Sequence, residues 1–527
     1  MSDILKFFPH DSFRPYQRET LEKISQYYSD GYEYVILESP TGSGKSGLGV
    51  CAGMYYGASF LITSQKILQQ QYINDYGSDD VCVLKGRSNY PCILVEKYTC
   101  AEGECLTGYK CQKKGDCLYE VAKERAKVAK VALMNYSYFL HIMNYTPSFA
   151  EREIMILDEC HNCEDELMGF VELSFSSYVL SKLGVTSKIP LYSNTDDYVD
   201  WIKENLQKVI KLKAKNKELL KEGSSDDLFD SSNESESAKK ILSEIELLDS
   251  YEKRMKKFLD SYDKTEWVFD IVSNEKIHSK TIVFKPLTVA YFAREMLLKF
   301  AKKKLMMSAT ILDAESVCRS LGVDYSKIKF IQVPSTFPLD IRPVFVTNSG
   351  QMGKDNLDRT LPKIAVDVGK ILDFHDKEKG LIHSHTFKIA NYLRDNVDRK
   401  LAERLLFHDS SNRDLVLKQF MESSDPLVLV TPSMTEGIDL RDDLARFVVI
   451  VKLPFLFLGD KQIKRRMEVD DDWYKWKTVL TLIQAAGRGI RHDKDFCTTY
   501  IMDSQFRYFM KNNMKFFPDY FVKSIKN

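Results

Sequence analysis

Between Glu38 and Ser46 the chain reads "ESPTGSGKS", with the apolar run "EYVILE" before it and "GLGVCAGMYYG" after it. Gly42, Ser43 and Gly44 let the backbone curl until its N–H groups converge, and a helix start just beyond adds positive potential. That combination cradles phosphate. Lys45 then reaches the β- and γ-phosphates of a nucleotide, and Ser46 offers a hydroxyl to Mg²⁺. Ser39 stands where the usual pattern opens on glycine. A Gly/Ser turn with an exposed lysine has the same composition, but it does not call for a strand before it and a helix after it.

Two further stretches complete this chemistry. "ILDECH" (156–161) is an apolar strand that delivers two acids at its end. Asp158 suits Mg²⁺, directly or through water, and Glu159 is placed to orient and activate an attacking water. In "QAAGRGIR" (484–491), Arg488 and Arg491 are three apart and would share a helix face, two guanidinium groups for a γ-phosphate. A Gly-Arg-Gly run is poor for helix stability, so its glycines point to close packing or backbone approach. The implied ligands are ATP and Mg²⁺.

The other candidate chemistry is a cysteine run. Cys92, Cys100, Cys105, Cys111 and Cys117 are five of the chain's eleven cysteines and fall within 26 residues. The N-terminal "MSDILKFFPHDSF" lacks the charged and apolar regions of a signal peptide, so the expected setting is intracellular (cytoplasmic, or nuclear in a eukaryote) and reducing. That disfavours disulfides and favours metal or cluster ligation. Four thiolates can hold an iron–sulfur cubane or a zinc ion. Cys160 and Cys163 flank His161 and read as strand-end thiols beside the nucleotide. Cys51, Cys82, Cys318 and Cys497 read as core.

The elements that must position these residues follow from periodicity. At 527 residues the chain exceeds one simple core. Lys+Arg and Asp+Glu balance at 75 each, so any nucleic-acid surface must be local. The most apolar late run, "FVVIVKLPFLFLG", is broken by Lys452 and Pro454 and too short to span a bilayer, so no membrane is expected. Strands at 33–38, 58–64, 153–162, 305–310, 380–386, 427–433 and 447–454 alternate with helices, which implies an α/β fold of parallel sheets wrapped by helices. Residues 198–262 differ: two helical periodicities flank the acidic, polar "GSSDDLFDSSNESES", a disordered loop near 222–237.

Taken in order, "FRPYQRE", "ESPTGSGKS", "LITSQKILQQQ", "LKGRSNYPC", "CLYEVAKERA", "ALMNYSYFL", "LDECH", "MSATI", "TEGIDL" and "QAAGRGIR" resemble the XPD/DinG family of iron–sulfur superfamily 2 DNA helicases. The resemblance implies two RecA-like parallel-sheet motor domains, the first carrying an iron–sulfur insertion and a helical arch. Motor domain 1 would comprise 1–88, 119–168 and 283–340, the cluster insertion 89–118, the arch 169–282 and motor domain 2 341–527. It implies that Gln17 reads the adenine edge and that His161 and Ser308–Thr310 couple nucleotide state to DNA. Gly437 and Asp439 would border the inter-domain cleft, and Gln484, Arg488 and Arg491 would sense the γ-phosphate. It also implies a 4Fe-4S cluster on Cys92, Cys105, Cys111 and Cys117, with Cys100 spare. The Cys100–Cys105–Cys111 spacing leaves a rival set open, and zinc stays the alternative metal. A monomer acting on single-stranded and forked DNA, moving 5′ to 3′, in repair or replication, is the implied function. An ATP-driven translocase that opens no duplex, and a non-catalytic clamp, are the alternatives. "FRPYQRE" begins at residue 13, so a nuclease-like leading extension is not expected.

Overall fold

The computed structural model describes residues 3–103, 111, 113–146, 148–185, 189–192, 194–222, 232–274, 279–409, 411–432, 440, 442–490, 492 and 494–526. Its first sheet takes strands β1 (Tyr34–Glu38), β2 (Ser59–Thr63), β3 (Val81–Val83), β4 (Val131–Asn135) and β5 (Arg152–Asp158). Three antiparallel strands follow, β6 (Leu173–Ser176), β7 (Trp267–Asn274) and β8 (Ser279–Pro286), then β9 (Ala301–Ser308) and β10 (Ile328–Gln332), which return to the first sheet. A second sheet is built from β11 (Val344–Gly350), β12 (Gly380–His383), β13 (Leu405–Phe407), β14 (Val428–Thr431), β15 (Phe447–Ile450), β16 (Thr498–Asp503) and β17 (Ile525–Lys526).

Each large sheet has seven parallel strands, in the orders β10-β1-β9-β5-β2-β4-β3 and β13-β14-β12-β15-β16-β11-β17. Their central strands are buried on both faces, as "VILE", "MILD" and "FVVI" require. Parallel strands put all their C-terminal ends at one edge, and ligands bind at that edge. In the first sheet β9 lies between β1 and β5, pairing Glu38 with Ser308 and Asp158 with Met307. The phosphate loop and the acidic strand end are thereby held one strand apart.

The segment between β6 and β8 carries the helices Thr195–Glu222 and Ser232–Ser261. At their base lies the antiparallel sheet β6-β8-β7, which the helical reading of this insertion did not anticipate. The acidic run also needs correction. Its last part, from Ser232, is helical, because Ser, Asn and Glu favour a helix N-terminus. Residues 223–231 lie outside the described residues.

The second sheet docks on the first through the helix Asp471–Ala486. Its Trp473 Nε1 donates to Glu164 at 2.9 Å, and Lys477 sits between Glu164 and Asp165 at 3.2 Å each. Among the described residues, no helix is long and apolar enough to cross a membrane.

Candidate functional site

The loop after β1 curls as its glycines dictate. Gly42 and Gly44 have φ of 81° and 79°, and a Cβ on Gly44 would meet Gln17 Nε2 at 2.2 Å. The helix Lys45–Tyr56 starts directly after it. Lys45 pairs with Glu159 at 2.8 Å and with Asp158 at 3.3 Å. Burial opposes the lysine charge, yet the two carboxylates win and raise its pKa. Burial likewise pushes Asp158 up. Glu159 is pulled down to about 2, because Lys45, His161 and Arg488 outweigh its burial. Glu159 therefore stays ionised through the neutral range, as an acceptor for a water proton must.

Gln17 is buried, and its amide is directed at the loop. Its Nε2 donates to Ser43 O (2.9 Å) and Gly44 O (3.3 Å), while its Oε1 accepts Arg14 N–H at 2.8 Å. Arg14 itself donates to Gly42 O at 2.7 Å. Gln17 thus braces the phosphate loop from behind, and only the remaining lone pair of its carbonyl is left for a base. Tyr72 is a functional contact that motif reading missed. This buried phenol, on the helix Lys66–Tyr76, donates to Asp158 Oδ2 at 2.9 Å and fixes the carboxylate's orientation. The signal was present: Gln69 and Tyr72, three apart, are the buried pair of that helix.

At the same edge of the first sheet His161 Nδ1 meets Ser308 Oγ at 2.7 Å, and from across the cleft Gln484 Nε2 reaches Thr310 Oγ1 at 3.3 Å. The geometry of "QAAGRGIR" differs from the single helix face expected of it. The helix ends at Ala486, Gly487–Gly489 form a 3₁₀ turn, and Ile490 is extended. Two glycines in three residues cannot sustain the α-helix. A Cβ on Gly489 would stand 2.3 Å from Cys497 Sγ, so here the glycine does serve close approach. Arg488 lines the same cleft as Lys45, Ser46, Asp158, Glu159 and Gln484, a space of about 1760 Å³. Arg491, Gly437 and Asp439 lie outside the described residues.

The cysteine loop is anchored to the first sheet from its exit. Arg152, buried on β5, donates to the carbonyls of Ser59, Ala126, Lys127 and Ala129 at 2.7–3.0 Å, tying down the end of the helix Leu118–Val128. Cys117 is that helix's N-cap residue. Cys92 and Cys100 are drawn together by reciprocal backbone bonds, Cys92 N to Tyr98 O and Cys100 N to Tyr90 O, both 2.8 Å. Cys100, assigned as the spare thiol, is buried, and its sulfur lies 3.7 Å from that of Cys117. Burial, Cys117 and Cys92 push its thiol up to about 12. Cys111 is half-buried, and Cys105 lies outside the described residues. Basic side chains of the helix that follows the loop make ion pairs: Arg125 with Asp79, Lys127 with Glu124, Lys130 with Asp80 and Lys123 with Glu120. In "NYSYF", Tyr136 and Phe139 are fully buried.

A second cavity, of about 560 Å³, opens between the end of β2 and the helix Ser232–Ser261. His141, Tyr145, Lys253 and Arg254 face it together with Ser64 and Asn162. Burial and the neighbouring cations Lys253, Lys257 and Arg254 keep His141 neutral by lowering its pKa. These residues come from four distant segments, so no motif announced the cavity.

A model described as "Helicase C-terminal domain" matches residues 374–524, and one described as "Type III restriction enzyme, res subunit" matches 10–189. The chain is 23% identical to the ATP-dependent DNA helicase YoaA of Haemophilus influenzae, over 94% of this chain and 90% of that protein. It is also 23% identical to its namesake in Escherichia coli, over 95% and 93%. A solved XPD helicase shares the fold with a TM-score of 0.63 at 17% identity, over 96% of this chain and 98% of that one. Two seven-stranded sheets with a shared cleft, the XPD-like fold and helicase relatives of matching length agree with one another: the chain is similar to XPD/DinG-type superfamily 2 helicases.

Proposed function

We propose that this chain is an ATP-dependent DNA helicase that moves 5′ to 3′ along single-stranded DNA and parts duplex at a fork. The observation that carries the reading is the shared cleft. Lys45, Asp158 and Glu159 from one sheet face Gln484 and Arg488 from the other across it. Hydrolysis in such a site depends on both motors, so each turnover can change how they sit on a strand. Ser46 and Asp158 are the residues that would hold Mg²⁺, which neutralises phosphate charge when bound. Incoming phosphates take over Lys45 from the two carboxylates, which frees Glu159 to orient water. Arg488 already bears on Glu159 electrostatically and lines the same cleft. The names of the relatives support DNA as the substrate.

The cavity between β2 and the helical insertion is the proposed DNA track. It combines cations with the aromatic Tyr145, the pairing that accepts a phosphate backbone and stacks bases without reading sequence. Lys253→Ala/Arg254→Ala is expected to weaken single-stranded DNA binding. It should also reduce the slope of log affinity against log salt by about 1.4, about 0.7 for each lost phosphate contact. Fluorescence anisotropy over a salt series checks this; an unchanged slope would move the track elsewhere.

For the cysteine loop, the geometry favours Cys92, Cys100 and Cys117 as ligands, with Cys105 or Cys111 as the fourth. The donor set fits a 4Fe-4S cluster, which supplies rigidity to a loop with little core of its own. A zinc ion is the second reading, and one distance favours it. Zinc–thiolate bonds of about 2.3 Å in a tetrahedron set sulfurs about 3.8 Å apart, close to the 3.7 Å between Cys100 and Cys117.

A further inference from the structure

Glu38 closes β1 just before the phosphate loop. It is buried and makes no ion pair among the described residues. Its Oε1 accepts Gln332 Nε2 at 2.7 Å, and its Oε2 accepts the N–H groups of both Ile311 and Leu312 at 2.6 Å. The Leu312 N–H and the Ile311 carbonyl belong to one peptide group. That carbonyl accepts Trp476 Nε1 at 2.8 Å. Trp476 is 2% exposed and lies on the helix Asp471–Ala486, which runs on into Arg488. A single planar peptide therefore has its hydrogen held by the first motor domain and its oxygen held by the second.

The peptide is a stiff link because its C–N bond does not rotate freely. The turn that presents it is one leucine rarely adopts: Leu312 has φ of 64°, and the two bonds from Glu38 hold it there. Glu38 is also continuous with the loop that closes on phosphate. Ser39 N bonds Ser308 O at 2.9 Å, so a shift of the loop reaches β9 and the 311–312 turn together. Gln484, from the same helix, touches Thr310 one residue before that turn.

We infer that Glu38 and Trp476 are positioning residues that couple the nucleotide loop to the second motor domain through the Ile311–Leu312 peptide. The inference rests on the helicase reading of the cleft and names the contact through which it is coupled. Neither side chain touches the reacting atoms in this scheme.

The test is a double-mutant cycle with Glu38→Gln and Trp476→Phe, read as base pairs opened per ATP hydrolysed. Glu38→Gln leaves a neutral amide oxygen in place of the charged acceptor of the Ile311 and Leu312 N–H groups, and Trp476→Phe keeps the ring but removes the N–H. Each single change is expected to lower the ratio about tenfold, and the double to be no more than about threefold worse than either. Losses that multiply would mean two unrelated packing defects and would overturn the link. Hydrogen exchange gives a readout independent of activity: the Leu312 amide should exchange faster in both variants while the centre of β9 stays protected. Unchanged exchange at Leu312 in Trp476→Phe would also overturn it. Should that variant fail to fold, Glu38→Gln alone decides. Nucleotide-induced protection of residues 484–490 must then be lost while that of the phosphate loop persists, and retained protection at 484–490 refutes the link. A wild type that hydrolyses no ATP would defeat the helicase reading instead, and exchange at Leu312 would still judge the bridge.

Discussion

Glu159→Gln is expected to bind ATP about as well as the wild type and to turn it over about 10²–10⁴-fold more slowly. The change keeps the side chain's size and its Lys45 contact through the amide oxygen, but removes the ionised acceptor. That acceptor is held near pKa 2 by Lys45, His161 and Arg488 against the cost of burial. In the nucleotide-free site a carboxyl depressed that far titrates below the working range, so any acid limb of wild-type kcat/KM between pH 5 and 8 belongs to another group. Lys45→Ala should behave differently. It removes the cation that serves both carboxylates, 2.8 and 3.3 Å away, and leaves a buried acid, Asp158, and a half-buried one, Glu159, without it. Nucleotide affinity and turnover should then fall together, with some loss of thermal stability. Steady-state ATPase with and without single-stranded DNA, beside nucleotide binding by fluorescence, separates the two patterns. Full turnover in Glu159→Gln would place the hydrolytic site elsewhere.

Cys100→Ser is expected to lose the bound metal and most strand separation while keeping measurable ATP turnover. The thiol is buried 3.7 Å from Cys117 and shares its backbone pairing with Cys92, so in the proposed ligand set the hydroxyl would replace a ligand. Lys45, Asp158 and Arg488 line the cleft between the two sheets, whose lining includes none of the described residues of the loop. Oxygen-free purification followed by iron and zinc analysis and a visible spectrum is the measurement. About four irons per chain with broad visible absorption supports the cubane, and one zinc without colour supports the tetrahedron. Full metal content in Cys100→Ser would restore Cys105 and Cys111 as the inner pair and return Cys100 to the core.

The phosphate loop and acidic strand end were legible because each is local. A strand, a glycine curl and a helix start follow one another in sequence, and the backbone does the work. What escaped depends on chain segments meeting. Tyr72 reaches Asp158 from 86 residues away, and the second cavity is closed by residues as distant as Ser64 and Arg254. The β6-β8-β7 sheet was hidden by its neighbours. "WVFDIVSN" and "SKTIVFKP" carry strand-forming residues, but they lie beside 28- and 30-residue helices whose stronger period dominated the segment. For the cysteines, spacing alone could not say which thiol turns inward. That is decided by the Pro91–Thr99 bridge, a contact of backbone with backbone. The Arg488 turn was misjudged as helix even though the glycines that break it were in view.

The most direct measurement is displacement of a labelled strand from duplexes bearing a 5′ single-stranded tail, a 3′ tail or no tail, with ATP and Mg²⁺ and with Glu159→Gln as control. The account predicts ATP-dependent displacement from the 5′-tailed duplex, little from the other two, and none with the variant. DNA-stimulated ATP hydrolysis without displacement of any strand would contradict it, and would make the chain a translocase that opens no duplex.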